Sequence, residues 1–175
     1  MKQLLLMDTK NYDESWRRST RPSVRGIVER DGKFAMVHSL TYDYYMFPGG
    51  GIEENETKEQ ALIREVREET GLEVIPESIR EYGSVMQIRA SDIYENTIFE
   101  QENFYYRCEV DTRVGQQKLE DYEIEEQFVL EYVLAEEALK TNRACRHENE
   151  SHNLWIERES KVLELLMQEG IGVKK

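Results

Sequence analysis

The stretch "GGGIEENETKEQALIREVREETGL", Gly49 to Leu72, constrains this chain more than any other. It opens on three glycines and carries seven glutamates against three basic residues. Read as a helix at ~100° per residue, it puts Leu62, Ile63 and Val66 on one face, expected to meet the core. Glu65, Glu68 and Glu69, at i, i+3 and i+4, fall on a neighbouring face about a quarter to a third of a turn away. Ala61, one turn before Glu65, is small and leaves room there. Like charges at this spacing destabilise an isolated helix by roughly 0.2–0.5 kcal/mol per pair. Two explanations stand: a solvated acidic face, or a divalent cation whose binding more than offsets the repulsion. Hard oxygen ligands favour Mg²⁺ or Mn²⁺ over zinc, which prefers His and Cys. The glycines alone fit neither the dinucleotide fingerprint nor the phosphate-loop motif.

The whole string says more. Gly50, five residues, Glu56, seven residues, and then "REVREETGL" from Arg64 to Leu72 resembles the signature of the Nudix hydrolase family, G-x5-E-x7-R-E-U-x-E-E-x-G-U with U a bulky aliphatic. Gly50, Glu56, Arg64, Glu65, Val66, Glu68, Glu69, Gly71 and Leu72 meet every fixed position, and "MFPGG" before them resembles the family's lead-in. The resemblance implies an α/β fold, an α/β/α sandwich with a mixed β-sheet. It implies metal-dependent hydrolysis of a nucleoside diphosphate linked to another group. By position, Glu65, Glu68 and Glu69 would be catalytic metal ligands, assisted by the Gly50 carbonyl, with Mg²⁺ the expected ion and Mn²⁺ the alternative. Glu56 and Arg64 would pair to hold loop and helix together, and Gly71 would stop the helix in a backbone conformation that other residues disfavour. A homodimer would be in keeping with the family, and the early "WRRSTRPS" loop could clamp across one.

Some family members use a further acidic residue before a late strand. "LEDYEIEEQFVLEYV" offers Glu123, Glu125 and Glu126, and Glu126, just before the apolar run, is the favoured fourth catalytic residue. Arg25 and Arg89 are candidates for substrate phosphates, because Arg makes bidentate phosphate contacts. Tyr45 is a candidate to stack on a base, with core packing the competing role. His38, His147 and His152 show no ligand spacing and receive no role. Trp155, Ile156, Val162, Leu163 and Leu166 are expected to pack the last helix onto the domain.

Around the motif, strands are expected at Gln3–Met7, as a hairpin over Val24–Leu40 turning at Asp31-Gly32, and at Glu81–Ala90, Glu102–Val110 and Glu125–Leu134. Asn11–Ser23 reads as loop, Ala135–Asn142 and Leu154–Gly170 as helices, and Arg143–Asn153 as a polar, mobile connection. The length of 175 residues suits a single domain over 1–175. A formal net charge of −13 repels a nucleic-acid backbone and an anionic membrane, so the expected partner is a small nucleotide, with no long nucleic acid and no membrane. "MKQLLLMDTK" offers too short an apolar run for a signal-peptide core, and Cys108 and Cys145 show no CxxC spacing. Both point to the cytoplasm and free thiols.

Substrate signs within the family are mostly negative. Met86, not proline, stands fifteen residues beyond Gly71, unlike many ADP-ribose pyrophosphatases. Gln87, Ile88 and Arg89 stand where dinucleoside polyphosphate hydrolases often show a tyrosine. A nucleoside triphosphate or a nucleotide sugar is the leading expectation. A nucleotide sensor that no longer cleaves is the alternative, although none of the motif's glutamates is lost.

Overall fold

A computed structural model describes residues 1–172. Its strands are β1 (Gln3–Asp8), β2 (Arg17–Thr20), β3 (Ser23–Ile27), β4 (Glu29–Arg30), β5 (Lys33–Ser39), β6 (Tyr44–Met46), β7 (Leu72–Val74), β8 (Arg80–Ala90), β9 (Thr97–Arg107), β10 (Val110–Val114) and β11 (Phe128–Val133). Its helices are α1 (Lys58–Thr70), α2 (Asp121–Glu125), α3 (Ala135–Ala144) and α4 (Glu150–Gln168).

A five-stranded mixed sheet runs β1-β8-β9, with β2 and β3 sharing the far edge of β9. β8 and β9 are antiparallel, whereas β1 lies parallel to β8, and β2 and β3 lie parallel to β9. A second, antiparallel sheet joins β11, β5, β4 and β6, and β7 pairs with β10. The long strand β9 shows why the layers form. Its side chains alternate between faces. Phe104 and Tyr106 pack with Ala61, Leu62 and Val66 of α1. Tyr105, between them, packs with Ala138 and Leu139 of α3 and Val162, Leu163 and Leu166 of α4. Helices thus cover both faces of the strands, and the α/β/α architecture with a mixed sheet is as expected.

α1 begins at a capping box, in which the Thr57 hydroxyl accepts from Gln60 N and the Gln60 side chain accepts from Thr57 N. It ends at Gly71, whose φ of 75° is left-handed. Its buried stripe is Ala61, Leu62, Val66, Glu69 and Thr70, while Ile63 is only half-buried. Ala61 is therefore core, and Glu69 is drawn into the core face instead of standing beside it.

Three local expectations are corrected. Arg17–Thr20 is a strand bonded to β9 of the same chain and not the expected loop. Val24–Leu40 is not one hairpin. β3 joins the mixed sheet, and only β4 and β5 pair across the Asp31-Gly32 turn. The segment between α3 and α4 is packed rather than loose. His147 is buried there, and Asn149 caps α4 by accepting from Ser151 N. Among the described residues, no helix is long and apolar enough to cross a membrane.

Candidate active site

The loop before α1 is fixed from below. Val24 N donates to Gly50 O (2.9 Å) and Gly26 N to Pro48 O (2.8 Å), stitching the glycine loop to β3. Gly49 has a φ of 147°, a conformation that L side chains rarely adopt. A Cβ on Gly50 would stand 2.6 Å from a carboxylate oxygen of Glu65, so glycine is what lets that carboxylate lie against the loop. The Gly50 carbonyl keeps one lone pair beyond its bond to Val24.

Arg64 holds loop to helix. Its Nε and Nη2 donate to the two oxygens of Glu56 at 2.8 and 2.9 Å, and Nη2 also donates to Gly51 O at 3.0 Å. Its Nη1 reaches Glu65 at 2.6 Å and Glu68 at 3.4 Å. The expected Glu56–Arg64 pairing is therefore present. Arg64 also lies against two of the three carboxylates on the helix face.

Burial increases along that face. Glu68 keeps 27% of its side-chain exposure and Glu65 13%, and Glu69 as a residue is 3% exposed. Burial pushes the Glu65 carboxyl above its ordinary range, with Arg64 opposing. It pushes Glu69 well above that range, opposed mainly by Arg25 and reinforced by Glu123. Glu69 also accepts from Gly49 N (2.8 Å), which ties it to the glycine loop. Four carboxylates thus gather around two guanidiniums, Arg25 and Arg64, at the start of a buried core. The donors are all hard oxygens, and their negative charge is under-compensated. A divalent cation of the Mg²⁺ type fits that set.

The residue of the late loop that reaches this group is Glu123. It is 4% exposed, lies next to Glu69, and is itself raised by burial. Glu126, the expected one, is turned elsewhere. One of its oxygens accepts from Tyr44 Oη (2.5 Å) and Ser39 Oγ (3.1 Å), while the other faces His147 and His152. α2 explains the difference, because Glu123 sits at N3 of a capping box with its carboxylate accepting from Glu120 N, facing inward, and Glu126 lies just past the helix end.

Arg25 turns inward as well. It is 8% exposed and its Nη1 donates to the carbonyls of Gly49 and Phe47. Its inward turn supports the loop and sets a positive charge under Glu65 and Glu69. Tyr45 is likewise spent on packing. Its hydroxyl donates to Glu131 (2.8 Å), its ring stacks on His38 at 4.2 Å, and its backbone N–H donates to Asn142.

Arg89 lines an open cavity of about 700 Å³, together with Arg21, Tyr94, Phe99, Gln101, His152 and Trp155. Arg89 bonds to Asp92 (2.7 Å) and lies over the Phe99 ring at 5.0 Å. Arg21 joins the cavity to the loop, since its Nε lies 2.9 Å from where a Cβ on Gly51 would stand. Trp155 is therefore a cavity wall as well as a helix-packing residue. Arg21 and the aromatic rings carry no spacing signal in the sequence. They come together only because β2, β8, β9 and α4 meet at one end of the mixed sheet. A groove between α3 and α4, of about 520 Å³, is lined by other residues and lies away from the carboxylates.

A model of the NUDIX domain matches residues 19–158. An RNA pyrophosphohydrolase of Hydrogenovibrio crunogenus is 39% identical over 72 residues, which covers 41% of this chain and 42% of that protein. An ADP-ribose pyrophosphatase of Methanocaldococcus jannaschii is 40% identical over 53 residues, covering 29% of this chain and 31% of that protein. The chain thus spans less than half the length of these curated relatives. Among solved structures, a NUDIX hydrolase from Nitrosomonas europaea superposes with a TM-score of 0.55 at 18% identity, covering 80% of this chain and 89% of that one. A UDP-X diphosphatase gives a TM-score of 0.56 at 17% identity, covering 87% of this chain and 64% of that one. At these identities the likeness to solved structures is one of fold.

Proposed function

The chain belongs to the Nudix family, and we propose that it is a divalent-metal-dependent hydrolase of a small nucleotide bearing a diphosphate bond. The observation that carries this reading is the convergence of Glu65, Glu68, Glu69 and Glu123, together with a cavity of arginines and aromatic rings that Arg21 links to the glycine loop. A nucleotide needs both halves. Its phosphates match Arg21 and Arg89, and its base can stack on Trp155, Tyr94 or Phe99.

Glu65, Glu68 and Glu69 would hold Mg²⁺, with the free lone pair of the Gly50 carbonyl available. Bound there, the ion neutralises the charge of the phosphoanhydride oxygens and lowers the pKa of a water. The chain does the rest. Arg64 fixes the position of Glu65 and of the loop. Arg25 and the Gly49 amide hold Glu69. Glu123, buried beside Glu69, would take a proton from the attacking water. A nucleoside triphosphate or a nucleotide sugar is the favoured substrate. We take residues 1–175 as one such domain, working in the reducing cytoplasm, where the free thiols of Cys108 and Cys145 would persist.

The test is turnover of a panel with and without Mg²⁺: nucleoside triphosphates, nucleotide sugars, ADP-ribose, dinucleoside polyphosphates and a short RNA with a 5′-triphosphate. Glu69→Gln is run beside the wild type. Mg²⁺-dependent cleavage of one class, reduced at least about 100-fold in Glu69→Gln, is expected. Nucleotide binding without turnover of any member would replace this reading with that of a sensor.

A further inference from the structure

Beyond the carboxylate helix, a second group of metal-ligating side chains lies behind the cavity, in residues to which the sequence assigned no joint role. Glu126 Oε1, His147 Nε2 and His152 Nδ1 form a nearly equilateral triangle. Its edges are 3.3 Å (Glu126 to His147), 3.2 Å (Glu126 to His152) and 3.0 Å (His147 to His152). The side chains are 8%, 5% and 15% exposed. We infer that this triangle is a binding site for a zinc-class divalent ion, held by two imidazoles and one carboxylate and separate from the glutamates of α1.

A tetrahedral ion about 2.0–2.1 Å from each ligand sets neighbouring ligand atoms roughly 3.3–3.4 Å apart. The observed edges are within a few tenths of an ångström of that value, so little movement is needed to close the three ligands on an ion.

Glu126 Oε2 accepts from Tyr44 Oη at 2.5 Å and Ser39 Oγ at 3.1 Å, which orients the carboxylate and leaves Oε1 for the triangle. The His152 ring stacks on Trp155 at 4.2 Å, and the His147 ring lies against Tyr42 at 3.9 Å. The carboxylate is thereby aimed by hydrogen bonds, as a ligating carboxylate requires, and the two rings are held in place by stacking.

No placement of the ring protons satisfies all three edges: with a proton on both facing nitrogens the two N–H groups meet, and with a proton on only one the remaining lone pairs meet. Asn149 N donates to His147 Nδ1 (2.9 Å), so in the metal-free protein the proton of a neutral His147 is on Nε2, inside the triangle. It serves one edge well and leaves another poorly paired. An ion at the centre engages a lone pair from each of the three atoms at once. Loading then has a defined consequence: the His147 proton moves to Nδ1 and the contact with Asn149 N opens.

The donor set distinguishes the two sites. Imidazole nitrogen with one carboxylate favours Zn²⁺, whereas the α1 glutamates offer oxygen alone and favour Mg²⁺. Three protein ligands also leave a fourth position for water or a ligand. His152 lines the cavity, so the site stands at its wall.

The experiment uses the full chain, stripped of metal by a chelator and then dialysed against Zn²⁺ in excess Mg²⁺, with bound zinc measured by elemental analysis. Expected is one zinc per chain. Its affinity should fall by more than about 100-fold in His147→Gln and in His152→Gln, exceeding the 10–100-fold typical of a lost supporting contact. Glu69→Gln should retain the zinc. Because His147 is buried and its variant could fail to fold, the wild type is also loaded with Co²⁺ and the Asn149 amide followed by NMR. Intense tetrahedral-type cobalt absorption with a shifted Asn149 amide supports the site. Zinc that does not survive competition by Mg²⁺, zinc retained by folded His152→Gln, or an octahedral-type cobalt spectrum with the Asn149 amide unmoved would each overturn it.

Discussion

Arg64 grips Glu56 through two parallel N–H···O bonds, of 2.8 and 2.9 Å, across the turn that leads from the glycine loop into α1. The same guanidinium touches Gly51 O and Glu65. One side chain therefore sets both the loop and a carboxylate of the candidate site. Lysine keeps the charge but cannot make the fork. Arg64→Lys is expected to lower stability by about 1–3 kcal/mol, since a charge-assisted bidentate pair is lost at a partly buried position. It should also weaken Mg²⁺ binding. Chemical denaturation and Mg²⁺ titration check both. Unchanged Mg²⁺ affinity would show that the clamp does not position Glu65.

Glu69 links stability to pH and to metal. Its folded pKa is raised well above 4.5. The sign follows from linkage: the stabilising contribution is fully present below the unfolded carboxylate pKa and is lost as pH rises through the folded value. Metal-free protein should therefore lose this contribution on going from about pH 5 to about pH 8, and added Mg²⁺ should raise Tm more at the upper pH, by a few °C. In Glu69→Gln the Glu69 share of this dependence should vanish. A Mg²⁺ effect equal at both pH values would sink the idea.

The cavity predicts a split between binding and chemistry. Trp155→Ala removes a stacking surface worth about 1–3 kcal/mol per base. KM for the substrate found in the panel should rise roughly 5–150-fold, with kcat changed much less. Equal loss of kcat and kcat/KM would instead tie Trp155 to the reacting centre.

Arg158 and Glu159 form an ion pair at 2.7 Å, both side chains fully buried. Arg158 also donates to Gln87 and Asn103, while Glu159 accepts from Phe47 N and Tyr105 Oη. Arg158→Met should destabilise by about 3–5 kcal/mol, because Glu159 is left buried and uncompensated. The double change Arg158→Met with Glu159→Gln should recover part of that. Additive effects in this double-mutant cycle would refute the pairing as the source.

The sequence makes the architecture legible where the pattern is local and periodic. α1 and its Gly71 stop follow from the pattern within one segment, and the Glu56–Arg64 pair from that segment's resemblance to the family signature. What is not legible depends on contacts distant in the chain. The inward turn of Arg25 is set by the carbonyl of Gly49, and that of Tyr45 by Glu131 and Asn142. The choice of Glu123 over Glu126 depends on the phase of the five-residue α2, which a run of glutamates conceals. His147 and His152 show no ligand spacing because they lie either side of the start of α4, and Glu126 reaches them from another element.

The glutamates stand on α1, whereas Tyr94, Phe99 and Trp155 come from the β8–β9 connection, β9 and α4. Arg21, over Gly51, joins the two groups. Cavity shape can therefore be redesigned one ring at a time without disturbing the carboxylates. A library varied at residues 94, 99 and 155 would sample new ligand preferences on an unaltered reaction centre.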